Sequence, residues 1–299
     1  MITGIPEEEF IAPGSRHCAG CGPMLGLRHV LKAAGKNTIV VIGTGCMEVV
    51  TTPYPLSSFL VPVIHNAFEN TAATAAGIEA ALKHVGRKDV KVLAVAGDGG
   101  TFDIGLGSLS GMIERNHNIC YVCYDNEAYM NTGVQRSGST PKFASTTTTP
   151  YGSKVHGKVE VKKPMPFIVA AHRLPYVATA NIAFPQDLYR KVRKAFSIKG
   201  PTYIQLFAPC TLGWKFPPSM TVNIARLAVE TNFSPLYDIE NGVFVLNKKI
   251  DKPKPVSEYL RLQGRYKKLA KEEIDVLQKD VNKEYEFLKG LEGRPLFPL

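Results

Sequence analysis

The chain has 299 residues, 44% of them hydrophobic, and a formal net charge of +10. That size allows a full buried core with extensions. No stretch approaches the roughly 20 consecutive apolar residues of a membrane span, and the acidic opening MITGIPEEEF has no apolar signal segment, so a cytoplasmic protein without membrane contact is expected.

The charge is uneven. Residues 1–150 carry 11 basic and 12 acidic side chains, whereas residues 151–200 carry ten basic and two acidic ones. A basic tract can meet nucleic acid, a polyphosphate or an acidic protein. It comes with no zinc-finger, cold-shock or RNP-type pattern, so nucleic acid is the weaker reading. Contact with a polyphosphate or an acidic protein, through Lys162 and Lys163 among others, is the expectation that charge alone motivates, with a solvated face on a basic protein as the equal alternative.

The first element with chemistry is His17-Cys18-Ala19-Gly20-Cys21-Gly22, two thiols three apart in a glycine-rich loop before a helix. NTIVVIGTGC (37–46) reads as a buried strand that ends at Gly45 and Cys46. ENTAATAAGIEAALKHVG (69–86) reads as a helix, Ala-rich and closed by Gly86 after Lys83 and His84. VKVLAVAG (90–97) is the next strand, 102–116 the next helix and NICYVCYDN (118–126) the next strand. Later come a strand over 176–182, a helix over 185–198 and the strand PTYIQLFAPC (201–210). Continuous apolar strands alternating with helices predict an α/β fold, a parallel sheet covered by helices on both faces. The pattern changes near 221. A short helix (223–231), a strand pair (236–248) and a charged helix (268–291) predict a C-terminal extension over 221–299, a candidate subunit contact, following a domain over 1–220.

Ligands of an open parallel sheet bind at the carboxyl ends of its strands. VLAVAG ends there in Gly97-Asp98-Gly99-Gly100, whose glycines let backbone approach a ligand while the following amides favour phosphate. A carboxylate beside phosphate needs a divalent cation between them, and Mg²⁺ takes such oxygen ligands. The next strand ends in Asp125-Asn126, so Asn126 can reach the same cation. His17 and His65 read as polar contacts or, first, as satisfied core groups. Cys18, Cys21, Cys46 and Cys210 fit a four-thiolate site for zinc or an iron–sulfur cluster. Cys120 and Cys123 lie three apart within one strand, point to opposite faces and are excluded from it.

A G-D-G turn followed 28 residues later by asparagine resembles the thiamine diphosphate motif. APGSRHCAGCG, TGCMEVVTTPYP, HNAFENTAATAAGIEAA, AGDGGTFDIGLGSLSG, YDNEAYMNTGVQRSGSTPKFASTTTTP and Cys210 together resemble the β subunits of pyruvate:ferredoxin oxidoreductases, in the 2-oxoacid:ferredoxin oxidoreductase family. The likeness spans residues 12–210. It implies Mg²⁺ on Asp98, Asn126 and the Ala128 carbonyl, with thiamine diphosphate near Gly45, Glu69, Asn70, Gly97, Gly99 and Gly100. It implies Asn131 near cofactor and substrate in a catalytic role, and one [4Fe–4S] cluster on Cys18, Cys21, Cys46 and Cys210.

The implied reaction is oxidative decarboxylation of a 2-oxoacid, pyruvate first, with coenzyme A as acyl acceptor and ferredoxin as electron acceptor. An α subunit would supply the pyrimidine-binding domain and its glutamate, and ferredoxin-like γ and δ subunits the further clusters. The alternatives are 2-oxoisovalerate, an aryl 2-oxoacid, 2-oxoglutarate, or oxalate without coenzyme A. More distant is a zinc-stabilised nucleic-acid-binding protein, which leaves Asp98 and Asn126 without purpose.

Overall fold

The structure, a computed structural model, describes residues 2–53 and 55–297. Met1 and Tyr54, the latter within TGCMEVVTTPYP, lie outside them. Eight strands form one sheet: β1 (Thr38–Gly43), β2 (Val63–Asn66), β3 (Lys91–Gly97), β4 (Cys120–Asp125), β5 (Tyr176–Asn181), β6 (Thr202–Phe207), β7 (Tyr237–Glu240) and β8 (Val243–Leu246). Their order is β2-β1-β3-β4-β6-β5-β7-β8. The first six strands in the chain run parallel. β7 returns antiparallel to β5, and β8 antiparallel to β7. The segment beyond 221 thus continues the sheet through its strand pair.

The strands are buried on both faces because alternate residues enter different cores. Val40 and Ile42 face one core and Val41 the other; Cys120 and Val122 face the first, Tyr121 and Cys123 the second. The first core is covered by α1 (Gly22–Ala34) and, further along, a helix over 185–195. After α2 (Cys46–Val49), the second core is covered by α3 (Thr71–His84), α4 (Leu106–Glu114) and α5 (Met165–Ala170). Lys83 and His84 end α3, where positive charge suits the helix dipole.

The helix over 185–195 is α6 (Pro185–Ala195), followed by α7 (Thr211–Trp214), α8 (Thr221–Glu230), α9 (Val256–Leu260) and α10 (Lys271–Gly290). A third core, with Trp214, Ile224, Tyr259 and Leu277, joins these C-terminal helices to Phe207 on β6.

Two differences from the sequence reading bear on the site. The helix expected over 102–116 starts earlier, as a wide π-type turn over Gly99–Ile104 that passes into α4. Such turns are frequent at functional sites. The short edge strand β2 was not anticipated: it has four residues, none of them fully buried, and follows Pro62 directly.

Candidate functional site

Parallel pairing sets Gly97 beside Tyr124 and so brings the ends of β3 and β4 together. Asp98 and Asn126 leave those ends side by side. Asp98 is 1% exposed. Its Oδ2 accepts from Ser137 Oγ at 2.5 Å and its Oδ1 from the Asn126 backbone N–H at 3.3 Å. Burial, and then the neighbouring Asp125 charge, push the Asp98 carboxyl well above the usual carboxylate range, against Ser137 and Lys162.

The Asn126 side-chain amide points at two acceptors, Asp98 Oδ1 and the Ala128 carbonyl, each 2.9 Å away. Either the amide nitrogen donates to both, or the amide oxygen joins them around a cation. Neighbouring oxygens of an octahedral Mg²⁺, at about 2.0–2.1 Å from the ion, stand roughly 2.9 Å apart. The three groups therefore fit Mg²⁺ in chemistry and spacing.

The glycines beside Asp98 make a cradle that side chains would fill. A Cβ on Gly99 would come within 2.4 Å of the Tyr129 ring, on Gly97 within 3.0 Å of Tyr124, and on Gly100 within 3.0 Å of the Phe68 carbonyl. Tyr129 Oη closes the turn by donating to the Gly99 carbonyl at 3.1 Å. A cleft of about 20 Å³ is lined by Gly45, Cys46, Asp98, Asn126, Tyr129 and Asn131 among others. That holds an ion or a water but no organic cofactor, so the bulk of one must lie at the open mouth.

The four cysteines arrive from three places. Cys18 and Cys21 share a turn in which the Cys21 N–H donates to the Cys18 carbonyl at 3.1 Å. Cys46 starts α2, and Cys210 precedes α7 with its Sγ accepting from Gly213 N–H at 3.3 Å. Gly20, at φ +67°, presses on Pro218, and Gly22 on the Pro209 carbonyl, where added Cβ atoms would sit at 2.4 Å. These glycines seat the first cysteine loop against the Cys210 segment. Thr221 Oγ1 fixes it by donating to the Gly20 carbonyl at 2.6 Å.

Burial raises the thiols of Cys21 and Cys46 to about 12, and neighbouring Cys18 and Cys210 add to it. Thiolates at Cys21 and Cys46 would need bound metal to persist there. Among the described residues, no three Cys, His, Asp or Glu side chains converge closely enough to hold one metal ion.

Other expected residues divide. Asn131 is exposed and lines the cleft. Glu69 and Asn70 are exposed at the start of α3, and neither side chain reaches the cleft wall. The Asn70 side chain makes no cap bond, so it is not held by a helix-start role. His17 and His65 are exposed rather than core groups: His65 lies on the edge strand, bonded to Thr44 Oγ1 at 2.8 Å, and His17 bonds Ser15 at 2.7 Å. Cys120 and Cys123 face separate cores, as expected.

The basic tract divides: Lys154, Arg173, Arg190, Arg193 and Lys199 are exposed, whereas other members are tied to groups of the chain itself. Lys162 pairs with Asp125 at 2.6 Å and Glu127 at 3.0 Å, and Lys163 with Asp103 at 2.7 Å. Lys158 and Lys191 are each 1% exposed and donate to backbone carbonyls. Lys162 and Lys163 meet carboxylates distant in sequence, pairings that a charge count along the chain does not show. Sequence reading also passed over Ser137, Glu127, Trp214 and Arg265. The hydroxyls of QRSGST were visible, but nothing in the order of residues pairs them with Asp98.

A family model described as thiamine pyrophosphate enzyme, C-terminal TPP binding domain, matches residues 43–206. Pyruvate synthase subunit PorB of Methanocaldococcus jannaschii is 55% identical over 295 residues, covering 96% of this chain and 99% of that one. The subunit of the same name from Methanothermobacter marburgensis is 58% identical over 278 residues, covering 93% and 96%. Ketoisovalerate oxidoreductase subunit VorB of Pyrococcus abyssi is 51% identical over 294 residues, covering 96% and 94%. A solved 2-oxoglutarate:ferredoxin oxidoreductase from Magnetococcus marinus superposes with a TM-score of 0.57 at 22% identity, covering 75% of this chain and 82% of that one, which is a likeness of fold.

Proposed function

Since this chain belongs to the family of 2-oxoacid:ferredoxin oxidoreductase β subunits that includes pyruvate synthase subunit PorB, we propose that its complex converts pyruvate and coenzyme A to acetyl-CoA and CO₂. The two electrons released pass to ferredoxin. The chain is an oxidoreductase subunit with a thiamine diphosphate-binding domain. The substrate and the residue roles are our reading.

One observation carries it. Cys46, a member of the four-cysteine set, lines the same cleft as Asp98 and Asn126. The cation site and one cluster ligand would thus share one cleft. Thiamine diphosphate, when bound, supplies the electron sink that lets a 2-oxoacid lose CO₂, and a [4Fe–4S] cluster would accept electrons singly.

This chain's residues position and neutralise. Asp98, the Asn126 amide oxygen and the Ala128 carbonyl hold Mg²⁺, and Ser137 fixes the free oxygen of Asp98. Gly97, Gly99 and Gly100 admit the diphosphate, with Gly45 lining the same cleft and Glu69 and Asn70 exposed at the start of α3. Asn131 offers an amide to the substrate carboxylate or carbonyl. Cys18, Cys21, Cys46 and Cys210 bind the cluster. Among the described residues, Asp98 is the sole carboxylate lining the cleft. The glutamate that moves the aminopyrimidine proton therefore comes from an α subunit, and ferredoxin-like γ and δ subunits carry the electrons onward.

The test is turnover of the anaerobically purified complex on pyruvate, 2-oxoisovalerate, 2-oxoglutarate and oxalate, each with and without coenzyme A. Pyruvate should give the highest kcat/KM, and only with coenzyme A. Preference for 2-oxoisovalerate, the acid the VorB names point to, would overturn the pyruvate assignment, and activity on oxalate alone would overturn acyl transfer.

A further inference from the structure

Between Asn126 and Ala128 stands a glutamate with left-handed backbone, Glu127 at φ +66°. That conformation is uncommon outside glycine, asparagine and aspartate. Here it reverses the chain just past β4, so that the Asn126 amide and the Ala128 carbonyl both return towards Asp98. A strand continuing through 127 would carry Ala128 away.

Every polar group of Glu127 is tied. Its N–H donates to Asp125 Oδ1 at 3.1 Å, and its carbonyl accepts from Thr140 Oγ1 at 2.7 Å. Its carboxylate accepts from Lys162 Nζ at 3.0 Å and Arg265 Nη2 at 2.6 Å. Glu127 is 1% and Arg265 3% exposed. Arg265, from the C-terminal segment, also stacks 3.7 Å over the Trp214 ring, and Trp214 Nε1 donates to the Asn126 carbonyl at 2.8 Å. Trp214 ends the short helix that Cys210 precedes. One buried guanidinium thus braces both the Asn126–Ala128 loop and the turn bearing Cys210.

We propose that Glu127 is a positioning residue, and that the grip of Arg265 and Lys162 on its carboxylate holds Asn126 and Ala128 in the arrangement that binds the cation. The inference rests on Asp98, Asn126 and Ala128 being the cation ligands. It makes the C-terminal segment part of the cofactor site, although its charges lie more than a hundred residues away in sequence.

Glycine at 127 separates this from a purely local backbone effect. It adopts φ +66° freely but offers no carboxylate. The experiment takes the assembled complex, strips it of divalent metal, and titrates Mn²⁺ in the presence of thiamine diphosphate, with bound Mn²⁺ read by EPR. Thermal unfolding of the metal-free forms is measured in parallel. Glu127→Gly and Arg265→Lys should weaken Mn²⁺ binding roughly tenfold or more, the scale typical for groups that orient metal ligands. Glu127→Gln, which keeps length and hydrogen bonding, should recover part of the loss.

Wild-type Mn²⁺ affinity in Glu127→Gly would overturn the proposal. If that variant does not assemble, wild-type affinity in Arg265→Lys overturns it instead. Failure of the wild-type complex to bind Mn²⁺ at all would remove the cation site itself, and this inference with it.

Discussion

Asn126 aims its side-chain amide at Asp98 Oδ1, 2.9 Å away across two adjacent parallel strand ends. Lys162, whose charge acts on Asp98, is itself engaged by Asp125 and Glu127. Asp98→Asn should therefore release thiamine diphosphate and Mg²⁺ from the complex, with loss of turnover. Ser137→Ala removes only the brace on Oδ2 and should weaken Mg²⁺ binding by roughly 10–100-fold. Cofactor content after gel filtration, and titration calorimetry with Mg²⁺, check both.

Serine at position 18, 21, 46 or 210 should lower iron and sulfide content and the broad visible absorption of the anaerobic complex. Cys120→Ser and Cys123→Ser should keep the iron. They place a hydroxyl in an apolar core, at a cost of about 1–3 kcal/mol, which thermal unfolding would register.

Gly20→Ala tests how the first cysteine loop is seated. The position needs a positive φ, and a Cβ there would meet the Pro218 carbonyl at 2.4 Å. The loop would lift away from Cys210, so iron content should fall although every cysteine remains. Gly86→Ala, where φ is also positive but the space is open, should keep its iron and lose only modest stability.

Asn131 lines the cleft from its exposed side. Asn131→Ala should leave thermal stability and bound cofactor unchanged while lowering kcat/KM roughly 100-fold or more, the low end for loss of a hydrogen-bond donor to a reacting centre. Unchanged kinetics would reduce Asn131 to a turn residue.

A stability prediction lies away from the site. Burial alone would raise the carboxyl of Glu79, but His117, Lys83 and the Asn118 N–H outweigh it and hold it below its ordinary 4.5. His117 bonds it at 2.9 Å and Lys83 at 2.6 Å. A depressed carboxyl contributes stability above its unfolded value, and that contribution is lost as pH falls through the folded value. Glu79→Gln should cost about 1–3 kcal/mol near neutrality. The gap in unfolding free energy should shrink as pH drops below 4.5.

What the sequence determined by itself was whatever is written locally. Apolar runs of strand length marked β1, β3, β4, β5 and β6, because strands buried on both faces leave no polar alternation. The Gly-Asp-Gly turn and Asn126 marked one strand edge, because parallel neighbours must end together. The alternation of faces along β4 separated Cys120 from Cys123.

Tertiary structure decided what depends on partners far along the chain. It paired Lys162 with the buried Asp125 and Glu127, and Lys163 with Asp103. It set Ser137 against Asp98, and it brought Arg265 under the loop that carries Asn126. A buried charge is stable only beside its counter-charge, and which residue fills that place is settled by packing, not by sequence order.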